Sequence, residues 1–300
     1  GILTLLDQRK IPTIVVINKI DLAPSATVQD VPSKTQVVRL CAAQGIGMEA
    51  LHEAILRSLP DGYLQEPPLL ADLVQPGQMV ILVVPIDKAA PKGRLILPQV
   101  QAIRDLLDHH LGCLVAKDTE LAWALMQLKT DPGLVVTDSQ ALASVSKIVH
   151  ERIPLTSFSI LFARYKGDLM ALVQGAMAVD GLKPGDRVLV AESCSHHPVQ
   201  DDIGTVKIPR WLNHHVGGQL RFQTAHGHDF PEDLRQYRLV IQCGGCMTNR
   251  REVLSRIFRA QQQAVPITNY GLLIAKSLGL LERVLQPFPE ALAFYKENSK

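Results

Sequence analysis

The sequence is short of several things, and each shortage removes a class of protein. Aromatic residues make up only 5% of the 300-residue chain, so its cores must be aliphatic. An excess of one charge is missing too, since 31 Lys and Arg face 29 Asp and Glu, which argues against a partner recognised through a phosphate backbone or an anionic membrane surface. No run of about 18 apolar residues occurs, and no basic N-terminal region leads into an apolar stretch. We therefore expect no membrane association, no nucleic acid, and a cytoplasmic location. Cysteine is scarce and odd in number, five in all, with three of them in two short clusters. That pattern suits metal or redox chemistry in a reducing compartment better than a disulfide framework. The chain also opens on Gly1 without a Met and runs straight into a helix-like segment, so we expect a piece of something longer.

What is present is an alternation of short β-branched runs with amphipathic stretches, the pattern of parallel α/β architecture. Strands are expected at Ile14 to Ile17 and Val37 to Leu40, then a helix from Gly47 to Leu59. Pro60, Asp61 and Gly62 stop it, and Glu66, Pro67 and Pro68 read as a linker. A second unit follows, with strands at Met79 to Ile86, Cys113 to Ala116 and Leu134 to Thr137 between helices. Pro154 precedes an expected strand Ser157 to Phe162, which we take as the start of the last domain. Its further strands are Arg187 to Ala191, Leu220 to Gln223, Tyr237 to Ile241 and Val265 to Thr268. The division is 1–66, 67–154 and 155–300, with no internal sequence repeat and no low-complexity tract.

Both cysteine clusters directly follow expected strands. In an open parallel sheet such positions share one rim, where ligands bind at the point of strand-order reversal. The first cluster is Glu192-Ser193-Cys194-Ser195-His196-His197-Pro198, continuing to Asp201-Asp202-Ile203-Gly204; the second is Gln242-Cys243-Gly244-Gly245-Cys246. Two residues between Cys243 and Cys246 let both thiolates face one centre, and the glycines tolerate the tight turn. Cys194 can supply a third thiolate. Three thiolates with a further ligand fit a zinc site or a 4Fe-4S cluster, while a Cys243/Cys246 dithiol could instead perform redox exchange. His109 and His110 close a helix where a cation suits the dipole. His214, His215, His226 and His228 read as polar loop residues, Cys41 and Cys113 as buried small hydrophobes. Arg250, Arg251, Arg256 and Arg259 lie on the helix after Cys246, countering an anionic cluster, meeting a partner or forming a solvated face.

Near the N-terminus, Asn18-Lys19-Ile20-Asp21 follows a strand, and such a tetrapeptide can read guanine. The Asp21 carboxylate can accept both N1–H and the exocyclic amine, the Lys19 stem can pack on the ring, and Asn18 can brace neighbouring loops. After the next strand, the Ala42 N–H can meet the guanine O6. No Gly-x-x-x-x-Gly-Lys-Ser/Thr loop occurs, so nothing identifiable cradles the β and γ phosphates. GTP hydrolysis by this chain alone is not expected.

These blocks, in this order, together with Val206-Lys207-Ile208-Pro209-Arg210-Trp211-Leu212, resemble the maturation GTPases of FeFe-hydrogenase. The resemblance implies three parts: the end of a P-loop-type GTP-binding domain, a small α/β dimerisation domain and an α/β iron-sulfur cluster domain. It implies that Cys194, Cys243 and Cys246 ligate a 4Fe-4S cluster with an exchangeable fourth ligand, His196 or Asp201. A His common in the family before Cys-Gly-Gly-Cys is Gln242 here, and the usual Ser of the guanine loop is Cys41. The implied role is a homodimeric scaffold, regulated by GTP, that receives a diiron precursor from radical-SAM maturases and passes it to apo-hydrogenase.

Overall fold

The computed structural model describes residues 2–8, 11–28, 31–32, 35–59, 67–86, 94–193, 202–227 and 229–299. The chain divides into two compact units, Gly1–Pro67 and Pro68–Lys300. In the first, helix α1 (Ile2–Gln8) precedes the parallel pair β1 (Ile14–Ile17) and β2 (Gln36–Arg39), with α2 (Met48–Ser58) following. Val38, Leu40 and Ala54 form its small buried cluster.

The second unit carries two four-stranded sheets, and all of their strand pairs are parallel. The α/β class read from the alternation is therefore the observed one. The first sheet is built from β3 (Val80–Val83), α3 (Leu97–Asp108), β4 (Cys113–Ala116), α4 (Leu121–Met126), β5 (Leu134–Thr137), α5 (Leu142–Ile148) and β6 (Leu155–Ser157), in the order β4-β3-β5-β6. Helices α6 (Phe158–Lys166) and α7 (Leu169–Met177) lead to the second, made of β7 (Arg187–Glu192), α8 (Ile208–Val216), β8 (Arg221–His226), β9 (Leu239–Gln242), α9 (Arg250–Gln262) and β10 (Ile267–Asn269), in the order β10-β9-β7-β8. Helices α10 (Tyr270–Ser277), α11 (Leu281–Leu285) and α12 (Pro289–Asn298) close the chain.

One strand expected from sequence is not a strand. Ser157 ends β6, and Phe158 onward is helical, with the Ser157 hydroxyl accepting from the Ile160 N–H at the helix start. The run Phe158 to Ala163 is apolar because α6 is buried on nearly every side, not because it lies in a sheet.

The two sheets also repeat one fold, which the absence of a read sequence repeat does not anticipate. Both sheets have the same strand order when numbered from their own first strand, and the likeness extends to side chains. Gln75-Pro76-Gly77-Gln78 enters β3 as Lys183-Pro184-Gly185-Asp186 enters β7. In each turn the fourth side chain accepts from the first N–H (3.1 and 2.8 Å), and Gly77 and Gly185 both have positive φ. Pro154-Leu155-Thr156-Ser157-Phe158 matches Pro266-Ile267-Thr268-Asn269-Tyr270, and Asn269 caps α10 as Ser157 caps α6. Asp72 pairs with Arg164 on α6, and Asp180 pairs with Lys276 on α10. The second unit is thus two versions of one fold.

The copies are interlocked, since α7, which follows the first copy, packs on β10 of the second, and α11 packs on β6 of the first. One continuous core runs from Leu69 to Ala291 across both sheets. The second sheet is covered on both faces: Leu189, Ala191 and Val240 point into that core, while Val188, Val190, Leu239 and Ile241 meet Ile208, Leu212 and Leu273 of α8 and α10.

Candidate metal centre

β7 and β9 are adjacent and parallel, with Ala191 opposite Gln242, so the segments that follow them leave the sheet side by side. Strand order reverses between these two strands, which makes this rim the place where an open α/β sheet holds a ligand. The Cys243 N–H donates to the Ala191 carbonyl at 2.9 Å, and the Ser193 N–H donates to Cys243 Sγ at 3.2 Å. The residue before Cys194 therefore lies against the first sulfur of the second cluster. Cys194, His196 and Asp201 themselves fall outside the described residues, as do His197 and His228. Among the described residues no three His, Cys, Asp or Glu side chains converge into a metal-binding group.

The Cys243–Cys246 loop turns through Gly245 at φ 65°, with the Thr248 N–H bonded to the Gly245 carbonyl at 3.1 Å. Asn249 then caps α9, its side chain accepting from the Glu252 N–H at 2.9 Å. Three further groups frame the rim. Glu192, buried at the end of β7, accepts from the Tyr270 hydroxyl at 3.0 Å and faces His226 Nδ1 at 3.2 Å. Burial, then the charge of Glu192, pushes the Tyr270 phenol far above its ordinary range, so it stays a neutral donor. Arg256, only 2% exposed, donates to the Ser193 hydroxyl at 3.1 Å, the Gly227 carbonyl at 2.6 Å and Glu252 at 3.1 Å. Lys166 of α6 donates to the carbonyls of Gly245, Cys246 and Thr248.

Sequence reasoning left Arg256 among an anion-facing residue, a partner-facing one and a solvated one; burial removes the last. It missed Lys166: with Ser157 to Phe162 expected as a strand, Lys166 falls in the connection that follows, where a basic residue carries no signal. It passed over Tyr270 and gave His226 no role. His109 does close α3, its Nδ1 lying 2.7 Å from the Asp105 carbonyl. Cys41 is buried in the first unit, whereas Cys113 is only half-buried on β4; that partial burial still pushes its thiol pKa up.

In the first unit, Asn18 and Ala42 leave the parallel strands β1 and β2 at one rim. Asn18 Oδ1 accepts from the N–H groups of Lys19 (2.7 Å) and Ala42 (3.1 Å), so Asn18 does brace the two loops. The Ala42 N–H, assigned from sequence to a guanine O6, is engaged by Asn18. Lys19 holds a positive φ of 59°, and its carbonyl accepts from Leu22 and Ala23 to form the turn that carries Asp21.

Two family models match this chain. Residues 69–167 match the hydrogen maturase F dimerization domain, and residues 170–287 match its tetramerization domain. The chain belongs to the hydrogen maturase F family. Hydrogenase maturation is its process, and both matched domains are domains of self-association. The two matches meet between α6 and α7, where the two fold copies join. No curated protein matches the chain. Among solved structures, an NtrC family transcriptional regulator from Clostridium acetobutylicum is similar at 12% identity over 69% of this chain and 98% of that one, with a TM-score of 0.22, too low to carry an argument.

Proposed function

We propose that this hydrogen maturase F chain is an assembly carrier, not a catalyst, for the diiron unit of FeFe-hydrogenase. In this reading Cys194, Cys243 and Cys246 hold a 4Fe-4S cluster, and His196 or Asp201 is a displaceable fourth ligand. The observation that carries it is the Ser193 N–H to Cys243 Sγ bond across the switch point of the second sheet, which brings the residue before Cys194 against the first thiol of the Cys243–Cys246 pair. The donor set suits an anionic, thiolate-bound group: two thiols on a tight loop, a backbone N–H on one sulfur, and the buried cations Arg256 and Lys166 behind the rim. When bound, the cluster supplies an iron whose weak ligand can give way to the incoming diiron unit. The residues around it keep the loops fixed, and Tyr270 keeps Glu192 hydrogen-bonded. Radical-SAM maturases would supply the diiron precursor and apo-hydrogenase would receive it, with GTP acting on partner contacts in the cytoplasm through Lys19 and Asp21, on loops that Asn18 ties to Ala42.

Anaerobic reconstitution followed by iron, sulfide and zinc counting tests this reading. About four irons and four sulfides per chain are expected. Zinc without sulfide overturns it in favour of a zinc module, and a metal-free, redox-active Cys243/Cys246 pair overturns it in favour of a dithiol oxidoreductase.

Self-association through the first sheet has its own structural support. β6 is an edge strand but is covered by α11, whereas β4 is an edge beside exposed apolar side chains: Val115 on the strand, Leu107 on α3, and Trp123 and Met126 on α4. We assign the self-contact of the dimerization domain to this edge. Trp123→Glu combined with Met126→Glu is expected to weaken the dimer by about 100-fold or more, read as a fall to monomer mass by light scattering. An unchanged mass would place the dimer contact elsewhere.

A further inference from the structure

Lys166 is the last residue of α6 and is 9% exposed, an expensive place for an ammonium group. Its Nζ donates to the carbonyls of Gly245 (3.0 Å), Cys246 (2.9 Å) and Thr248 (2.8 Å), all within or just past the Cys243–Cys246 loop. No peptide among the described residues is cis, so turning the Gly245 and Cys246 carbonyls onto the ammonium turns the N–H groups of Cys246 and Met247 the opposite way. One side chain thus sets the orientation of consecutive peptide planes beside a cysteine. The rest of α6 and the segment after the loop reinforce the contact: Arg250 Nη1 donates to the Tyr165 carbonyl at 3.2 Å, and a Cβ on Gly244 would lie 3.4 Å from Ser159 Oγ. Helix α6 falls in the stretch matched to the dimerization domain, whereas the loop falls in the tetramerization domain.

We propose that Lys166 is a positioning residue for the thiol pair, lent by the first fold copy to the second. It fixes the peptide planes of the Cys243–Cys246 loop and places its ammonium group behind it, so that an anionic thiolate-bound group is held tightly and its charge is offset. This rests on the cluster reading above. A lysine that merely packs a loop would change stability alone. A lysine that positions the thiols changes how firmly iron is held and at what potential it is reduced, because nearby positive charge favours the more negative, reduced state.

The test uses the full chain with Lys166→Met and Lys166→Arg. Three quantities are measured: amide hydrogen exchange across residues 243–249 in metal-free protein, the rate of iron loss to a chelator after reconstitution, and the reduction potential. Lys166→Met is expected to exchange and to lose iron at least ~10-fold faster, with a potential moved to more negative values, and Lys166→Arg is expected to restore most of the potential and the iron retention. Iron loss and potential unchanged in Lys166→Met overturn the proposal, whatever the exchange rate does. If Lys166→Met does not fold, Lys166→Gln, which keeps a donor and loses the charge, carries the same three readouts. Wild-type protein that takes up no iron or sulfide overturns the cluster reading instead, and hydrogen exchange on metal-free protein still tests the grip of Lys166 on the loop.

Discussion

Cys243→Ala protein, reconstituted anaerobically, is expected to retain less than about a tenth of the iron and sulfide bound by the unaltered chain, because two thiolates rarely hold four irons. Cys243 is held at the rim by two contacts. Its sulfur accepts the Ser193 N–H, and its own N–H extends the β7–β9 ladder to Ala191, so it joins the ends of β7 and β9 at the switch point. Two controls come from the same chain. Cys41→Ala and Cys113→Ala are expected to leave iron content unchanged, since neither cysteine follows a strand of the second sheet: Cys41 follows β2 and Cys113 opens β4. His196→Ala is expected to keep the cluster and change only the response of its EPR spectrum to added imidazole or cyanide. Full iron and sulfide in the Cys243→Ala protein would remove the three-thiolate site altogether.

The position of this rim is legible in the residue order alone, for a topological reason. Cys194 and Cys243 each closely follow an apolar β-branched run, and parallel strands of an open sheet deliver such positions to one edge. What the residue order hides is anything that depends on which helix lies behind the edge. Lys166 sits nearly eighty residues from the loop it holds, in a stretch that reads as a connection, where a basic residue is ordinary. Arg256 lies on an amphipathic helix whose buried face cannot be told apart from its solvent face by charge alone, and only its contacts with Ser193, Gly227 and Phe230 decide the matter.

The misread strand and the missed repeat share a cause. Phe158 to Ala163 is a continuous apolar run, and periodicity does not separate a buried strand from a helix buried on all sides. Its counterpart, Tyr270 to Ala275, is buried in the same way. Reading either as a strand hides their equivalence, which rests on the preceding Pro-x-Thr, a polar cap and an ion pair to a 3₁₀ turn at the start of the copy. These are turn and cap features, the parts of a fold that hydrophobic patterning ignores.

The interlock of the copies makes Gly175 the position where the smallest substitution should do the most damage. Gly175 lies inside α7, and a Cβ there would sit 1.9 Å from the carbonyl oxygen and 2.3 Å from the carbonyl carbon of Ile267 on β10. Two effects of Gly175→Ala oppose each other. Helix propensity favours alanine by about 1 kcal/mol, whereas a contact this short with backbone cannot be relieved by rotating a side chain, so α7 and β10 must separate at a cost of roughly 3 kcal/mol or more. The steric effect wins, and the net expected loss is at least ~2 kcal/mol in denaturant unfolding. The damage should reach the metal centre, because Asn269 of β10 caps α10 and binds the Ser159 carbonyl of α6 at 2.9 Å, tying Tyr270 and the Lys166 helix to the same strand. Gly181→Ala is the matched control: a Cβ there meets nothing within 4 Å, and its stability should stay within about 0.5 kcal/mol of the parent. Equal stability of the two variants would mean that α7 and β10 do not meet as closely as the interlocked fold requires.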